Sequence, residues 1–324
     1  MNVKAPWITY RPELKVLDCT IRDGGLVNDH MFEDGLVKAV YDTCVEAGFD
    51  YMEMGYKASK KLFAPDKFGY WKHCDEDNLR RSVGDNDTNL KLTAMADAEK
   101  SDYHQDILPK EQSVLDVIRV ATYVHQIPVA VDMIKDAYDK GYEVTCNLMA
   151  VSVLQEAEID QALEVLAETP ASTIVVVDSF GALYTEQIEI LVKKYLKAVE
   201  GTGKEVGIHA HNNQQLAFAN TIEAIIHGAN RADSSMAGLG RGAGNCPTEL
   251  LIGFLRNPKF RIRPVFQLLQ DYFVELRNKI EWGPLIPYNI TGQLNQHPRA
   301  AIKLRDGENK DNFVAFYDQC VEDE

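Results

Sequence analysis

The stretch Glu205-Val206-Gly207-Ile208-His209-Ala210-His211, followed by Asn212-Asn213, is a β-branched, strand-like run that ends on two histidines. Alternate side chains of a strand share a face, so His209 and His211 project together while Ala210 turns away. Two imidazoles side by side at a strand end can hold one divalent ion. The plainer reading is two polar residues next to a surface loop. The surroundings of this run decide between them.

The same unit repeats on both sides. Strand-like runs at 14–20, 51–55, 91–97, 117–121, 142–149, 173–179, 205–211 and 231–236 alternate with segments of helical periodicity such as Leu36, Val40, Cys44 and Val45, or Ile188, Leu191, Val192 and Leu196. Eight strand–helix alternations in about 250 residues match a (β/α)8 TIM barrel. A doubly wound sheet also alternates, but it uses fewer strands, and no early GxGxxG turn is present. The expected organisation is a barrel over residues 1–258 and a C-terminal helical extension over 259–324. In that extension Pro264 to Ile280 reads as a helix with Phe266, Leu269, Tyr272, Phe273 and Leu276 on one face. The extension either packs on the barrel or forms a dimer contact, and a homodimer is expected. A long stretch of mixed sign, 56–89, reads as a loop carrying Lys60, Lys61, Arg80 and Arg81.

Composition narrows the function. The 324 residues are 45% hydrophobic and 26% charged, an ordinary globular balance. The net charge of −15 disfavours nucleic acid or an anionic membrane surface as partner. No apolar run approaches the roughly 18 residues of a membrane span, and the first residues lack the apolar core of a signal peptide. Six scattered cysteines without a CxxC pair read as reduced thiols of a cytoplasmic protein, with Cys19, Cys44 and Cys146 buried.

In a barrel, chemistry collects at the C-terminal ends of the strands. The polar residues there are Asp18, Thr20, Arg22 and Asp23, then Glu53, Asp97, Asn147, Asp178 and Ser179, and finally His209, His211, Asn212 and Asn245. Closure puts the first strand beside the eighth and next but one to the seventh, so Asp23, His209, His211 and Asn245 can meet. Two imidazoles, a carboxylate and an amide oxygen suit Mn²⁺ or Mg²⁺, with Co²⁺ or Zn²⁺ also compatible. Such an ion would chelate a 2-oxo acid and act as a Lewis acid toward its enolate. Arg22 would add a second positive group, or it is simply ion-paired with Asp18, Asp23 or Glu53. The glycine-rich Ala237–Asn245 loop, with Gly242, would bind an anionic group through its amides or merely needs positive φ.

With these residues placed, the chain resembles the DRE-TIM metallolyase, or HMG-CoA-lyase-like, superfamily. The resemblance covers about residues 14–256 and rests on LDCTIRDGG, MEMG, VDSFG, HAHNN and GLGRGAGN in that order. It implies a divalent-metal-dependent lyase or aldolase that makes or breaks a carbon–carbon bond beside an enolate. It also implies Asp23, His209, His211 and Asn245 as metal ligands and Arg22 as the enolate-stabilising residue. Glu53 is expected in the catalytic machinery, with Thr20, Asn147, Ser179 and Gly242 at the substrate. HAHNN, ANTIEA and GRGAGNCPTELL look most like 4-hydroxy-2-oxovalerate aldolases. Those enzymes carry a histidine base three residues after the metal aspartate, where this chain has Leu26. His30, Tyr288 or a metal-bound water would have to replace it. The C-terminal segment does not match a dehydrogenase-binding domain, so no such partner is implied. The competing readings are a Claisen-type synthase using acyl-CoA and a 2-oxo acid, a non-haem iron oxygenase, and a barrel that binds metal without catalysis.

Overall fold

The computed structural model describes residues 11–322. Eight parallel strands close into a barrel in sequence order: β1 (Lys15–Asp18), β2 (Tyr51–Tyr56), β3 (Lys91–Asp97), β4 (Val117–Thr122), β5 (Glu143–Leu148), β6 (Thr173–Asp178), β7 (Glu205–Ala210) and β8 (Arg231–Ser234). Closure is made by β1 and β8, with Leu17 opposite Asp233 and Asp18 opposite Ser234. The expected TIM barrel and its C-terminal helices are therefore present. Apolar side chains on the outer face, such as Val16, Met52, Leu92, Ile118, Val144, Ile174 and Ile208, are buried under the surrounding helices and form the main core. The opposite faces point into the barrel, where Leu17, Tyr51 and Val117 fill one end and Tyr56, Met95 and Ala121 line the other.

Four local details differ from the sequence pattern. The first strand stops at Asp18, and the chain turns at once into a short helix, Thr20–Gly24. The Asp18 carboxylate drives that turn by accepting hydrogen bonds from the Thr20 amide (3.1 Å) and hydroxyl (2.8 Å). The 56–89 stretch is not all loop. It holds the 3₁₀ turn Tyr70–Lys72, anchored by fully buried Trp71, and the helix Glu76–Val83. Its cations Lys60, Lys61, Arg80 and Arg81 form exposed ion pairs with Asp75, Asp102, Asp85 and Asp34 and stay away from the barrel mouth. Finally, the helix beginning at Ile262 contains a π turn over Leu269–Phe273. The extra residue rotates the buried face, so Val265, Leu268 and Phe273 are covered while Phe266 and Tyr272 are exposed.

The C-terminal residues divide between two sites. Val265, Leu268, Phe273 and Trp282 join the main barrel core. Helices Ile286–Gln293, Arg299–Arg305 and Phe313–Glu322 pack around a smaller cluster of Tyr288, Ile290, Ala301, Phe316 and Cys320. That cluster also contains Ala243, from the loop after β8, so the extension is docked directly over the mouth of the barrel. Among the described residues no helix is long and apolar enough to cross a membrane.

The loop after β8 depends on one glycine for its path. Gly244 sits at φ +84°, and a Cβ there would lie 1.9 Å from the Gly238 carbonyl oxygen. Gly244→Ala should therefore lower stability by about 1–3 kcal/mol, the usual range for a residue forced into such backbone, as read from the urea unfolding midpoint. An unchanged midpoint would show that the loop does not hold this geometry.

Candidate metal and catalytic site

The Thr20–Gly24 turn carries Arg22 and Asp23 inward, and both are buried. Thr20 itself does not reach the cavity, because its hydroxyl is taken up between Asp18 and the Met236 amide (2.8 Å), tying β1 to the loop after β8.

Across the barrel mouth, Asp23, His209 and His211 offer three ligand atoms, all within 4.8 Å of one another. Asp23 Oδ2 lies 3.6 Å from His209 Nε2 and 3.9 Å from His211 Nε2, too far for hydrogen bonds. His209 Nδ1 is 3.0 Å from Asp233 Oδ2. A carboxylate only accepts, so Nδ1 carries a hydrogen, and in the neutral ring Nε2 presents a lone pair. That buried Nε2 has no protein partner, and neither does Oδ1 of Asn245. Asn245 is held beside the histidines by a backbone bridge to His211. Two buried acceptors with nothing to accept, set around a carboxylate, fit a divalent cation.

The charge states of Asp23 and His211 agree with that fit. Burial lowers the pKa of His209, yet Asp23 and Asp233 outweigh it and raise the group overall, so an ion would have to displace the proton this favours. Burial alone would raise Asp23, but Arg22 and the two histidines overcome it and hold the carboxyl well below the usual range. Burial pushes His211 far down, keeping the imidazole neutral as a metal ligand must be. The loop after β8 closes the site from above. The Arg241 amide donates to Asp23 Oδ1 (2.9 Å), and a Cβ on Gly240 would fall 2.2 Å from Asn245 Nδ2 and 2.5 Å from Asp23 Oδ1.

Beneath the ligands runs a closed circuit of buried charges. Arg22 Nη1 binds Asp23 (2.5 Å) and Arg22 Nε binds Glu53 Oε2 (2.6 Å). The same Glu53 oxygen receives Arg119 Nη1 (3.1 Å), whose Nη2 binds Asp233 (2.5 Å). Asp233 in turn orients His209, which faces Asp23 again. Glu53 is therefore enclosed by two arginines and does not line the cavity, so it fixes Arg22 without touching a ligand. Arg119 and Asp233 were not singled out by the sequence motifs. Their one signal is a charged residue in the middle of a strand of otherwise buried residues, VIRVA and RADS, which demands a buried partner.

The cavity above has a volume of about 290 Å³. Arg22, Asp23, His209 and His211 line it, with Asn147 and Ser179 as expected, and Asn147 Oδ1 is unpartnered there. Two residues expected as bases lie elsewhere. His30 is buried against Gly25 and edge-to-face with the Tyr56 ring, centroids 5.3 Å apart, and Tyr288 is packed in the C-terminal cluster. Neither lines the cavity. Gly242 (φ +63°) shapes the loop against Asn213 and Tyr288 and also stays outside it. Leu26 does line the wall, and so do His297 from the C-terminal segment and Arg241, which the sequence motifs left without a role.

Residues 13–268 match the HMGL-like family. The chain belongs to that family. It is 30% identical over 246 residues to an oxaloacetate decarboxylase of Mycobacterium tuberculosis, covering 74% of this chain and 69% of that protein. It is also 30% identical over 253 residues to a 4-hydroxy-2-oxovalerate aldolase of Pelotomaculum thermopropionicum, covering 78% and 72%. Among solved structures, the N-terminal domain of an aldolase candidate from Bacteroides vulgatus superposes with a TM-score of 0.78 at 26% identity, covering 92% of this chain and 98% of that one. The hydroxymethylglutaryl-CoA lyase of Pseudomonas aeruginosa shares the fold at TM-score 0.67 and 16% identity, over 83% and 94%. The membership and the named relatives make this chain a carbon–carbon lyase of a metal-dependent family.

Asp233 does not line the cavity and would reach the metal through His209. Asp233→Asn replaces a carboxylate that only accepts by an amide that can also donate, so it no longer fixes the tautomer, and it should weaken Mn²⁺ binding about 10–100-fold, as losses of such supporting groups do. Titration calorimetry reads this directly, and unchanged affinity would separate Asp233 from the metal site.

Proposed function

We propose that the protein is a divalent-metal-dependent lyase that makes or breaks a carbon–carbon bond through the enolate of a 2-oxo acid, pyruvate in the simplest case. The observation that carries this is the unpartnered His209 Nε2, which faces Asp23 and His211 beside Arg22 in one cavity. Asp23, His209, His211 and Asn245 would hold the ion, and their mixed nitrogen and oxygen donors favour Mn²⁺ or Mg²⁺. When bound, it supplies Lewis acidity toward the 2-oxo acid.

The protein's own groups supply the rest. Asp23 and Glu53 fix the Arg22 guanidinium through Nη1 and Nε, and Nη2 is left buried without a partner. When the C3–C4 bond breaks, its electron pair delocalises onto the 2-oxo oxygen, and Arg22 Nη2 is the free donor positioned for that charge. Leu26, Met95 and Met149 give the cavity an apolar wall that excludes water from the enolate. The aldol direction also needs an acceptor for the 4-hydroxyl proton, and His297 is the cavity-lining imidazole outside the metal ligands. Burial, reinforced by Arg241 and Arg299, lowers its pKa to about 3, so it is neutral at pH 7 but a weak base, and it would have to exchange its Arg241 contact (3.2 Å) for the substrate hydroxyl to serve. A second reading is decarboxylation of a 2-oxo acid, which passes through the same enolate but needs no such base. Leu26 at the wall, where the family resemblance expects a histidine, favours it.

Exchange of the pyruvate methyl protons for deuterium, followed by NMR, tests the shared half-reaction. Exchange should require Mn²⁺ or Mg²⁺ and stop on adding a chelator. Arg22→Ala should keep its metal and slow exchange by about 100-fold, the usual loss of an oxyanion donor. Exchange absent with every divalent ion would overturn the enolate reading. Loss of 4-hydroxy-2-oxovalerate cleavage in His297→Ala, with pyruvate exchange retained, would select the aldolase over the decarboxylase.

A further inference from the structure

The chain as a whole is strongly acidic, yet this one cavity is lined by Arg22, Lys72, Lys100, Arg241 and Arg299 against only two carboxylates, Asp23 and Asp97. Arg22 is neutralised by Asp23 and Glu53, and Lys100 lies 3.9 Å from Asp97. Among the described residues, Lys72, Arg241 and Arg299 have no carboxylate at ion-pair distance. The Arg241 guanidinium donates to the Ser179 carbonyl (2.8 Å) and to His297 Nε2 (3.2 Å), both uncharged, and its Nε is unpartnered.

Lys72 is the least expected of these. It is 7% exposed, and its ammonium rests on aromatic faces, 4.2 Å from the Phe63 centroid and 4.4 Å from that of Tyr56. Burial lowers its pKa, and Asp97 offsets that only in part. A buried cation is normally paired, and ring faces replace only part of what a carboxylate gives. The Arg22 guanidinium lies 5.8 Å from the same Tyr56 ring, so Tyr56 connects the enolate end of the cavity to Lys72. Cations without counter-charges, gathered around a cavity of about 290 Å³ beside a metal pole, describe a ligand with two anionic ends. The volume suits a small dicarboxylate.

We propose that Lys72 and Arg299, with Lys100 and Arg241 nearby, form a subsite for a second carboxylate, so that the substrate is a 2-oxo dicarboxylic acid whose far carboxylate is held away from the reacting carbons. This rests on the enolate reading for its other end. Of the two readings above it selects the aldol one over decarboxylation, despite Leu26, because a carboxylate leaving as CO₂ is held in place, not released, by cations around it. The cleaved fragment therefore keeps its carboxylate and is itself an anionic aldehyde or oxo acid.

A matched pair of ligands isolates the far end. 2-Oxoglutarate and 2-oxovalerate have the same five-carbon chain and the same 2-oxo acid head, and differ in a terminal carboxylate against a methyl group. Calorimetric titration of the Mn²⁺-loaded protein should show 2-oxoglutarate binding at least about tenfold more tightly. In Lys72→Met, and separately in Arg299→Ala, that ratio should fall toward one while 2-oxovalerate still binds. Arg299 is exposed, so its variant keeps the test valid if Lys72→Met does not fold. Equal affinities in the unaltered protein, or a preference that survives both substitutions, would overturn the subsite. Pyruvate proton exchange in the same samples separates the two ideas. Exchange without a dicarboxylate preference removes only the subsite, whereas a preference without exchange removes the enolate reading and leaves the subsite standing.

Discussion

Glu53 Oε2 accepts hydrogen bonds from two arginines at once, wholly buried in the middle of the barrel. The rest of the site depends on that contact. Through Arg22 it sets the donor facing the proposed enolate position, and through Arg119 and Asp233 it sets the ring orientation of His209. Buried ion pairs are weak sources of net stability, because desolvation takes back most of the attraction. Removing one member of such a pair is another matter, at about 3–5 kcal/mol, since a lone charge is left in the interior. The circuit therefore acts less as a stabiliser than as a constraint. The charges pair around the circuit in one arrangement, and that arrangement leaves Arg22 Nη2 and His209 Nε2 free of protein partners.

Those two atoms, with Asn245 Oδ1, are buried and left unpartnered at the cavity. A protein interior rarely tolerates such orphans without a ligand. Their position at the C-terminal ends of β1 and β7 and in the loop after β8 is where a barrel exposes its loops to substrate. The C-terminal helices approach from the other side. Through Ala243 they are docked on the loop that closes over Asp23, and they bring His297 and Arg299 to the cavity. The extension is thus part of the pocket wall as well as part of the fold.

Much of this was legible in the chain. Period-two and period-3.6 patterning gave the eight strands and their helices, because both depend only on local burial of one face. The pair His209 and His211 was legible for the same reason, as i and i+2 on a strand share a face whatever lies beyond. The π turn at Leu269–Phe273 was not, because Phe266 and Tyr272 fit a regular helix equally well. Nor was Lys72: within 56–89 it looks no different from Lys60 or Lys61, and only the packing of Trp71 turns it inward.

The sequence by itself determined the barrel, the family and the residue types of the candidate metal site, since each is written in short-range spacing or in a contiguous motif. Tertiary structure alone decided who completes the site. Glu53, Arg119 and Asp233 lie on strands far apart in the chain and meet only because closure brings inward faces together. The same closure seals His30 and Tyr288 away from the cavity and admits His297 and Lys72. Reach across a barrel is a property of three-dimensional distance, and no linear spacing encodes it.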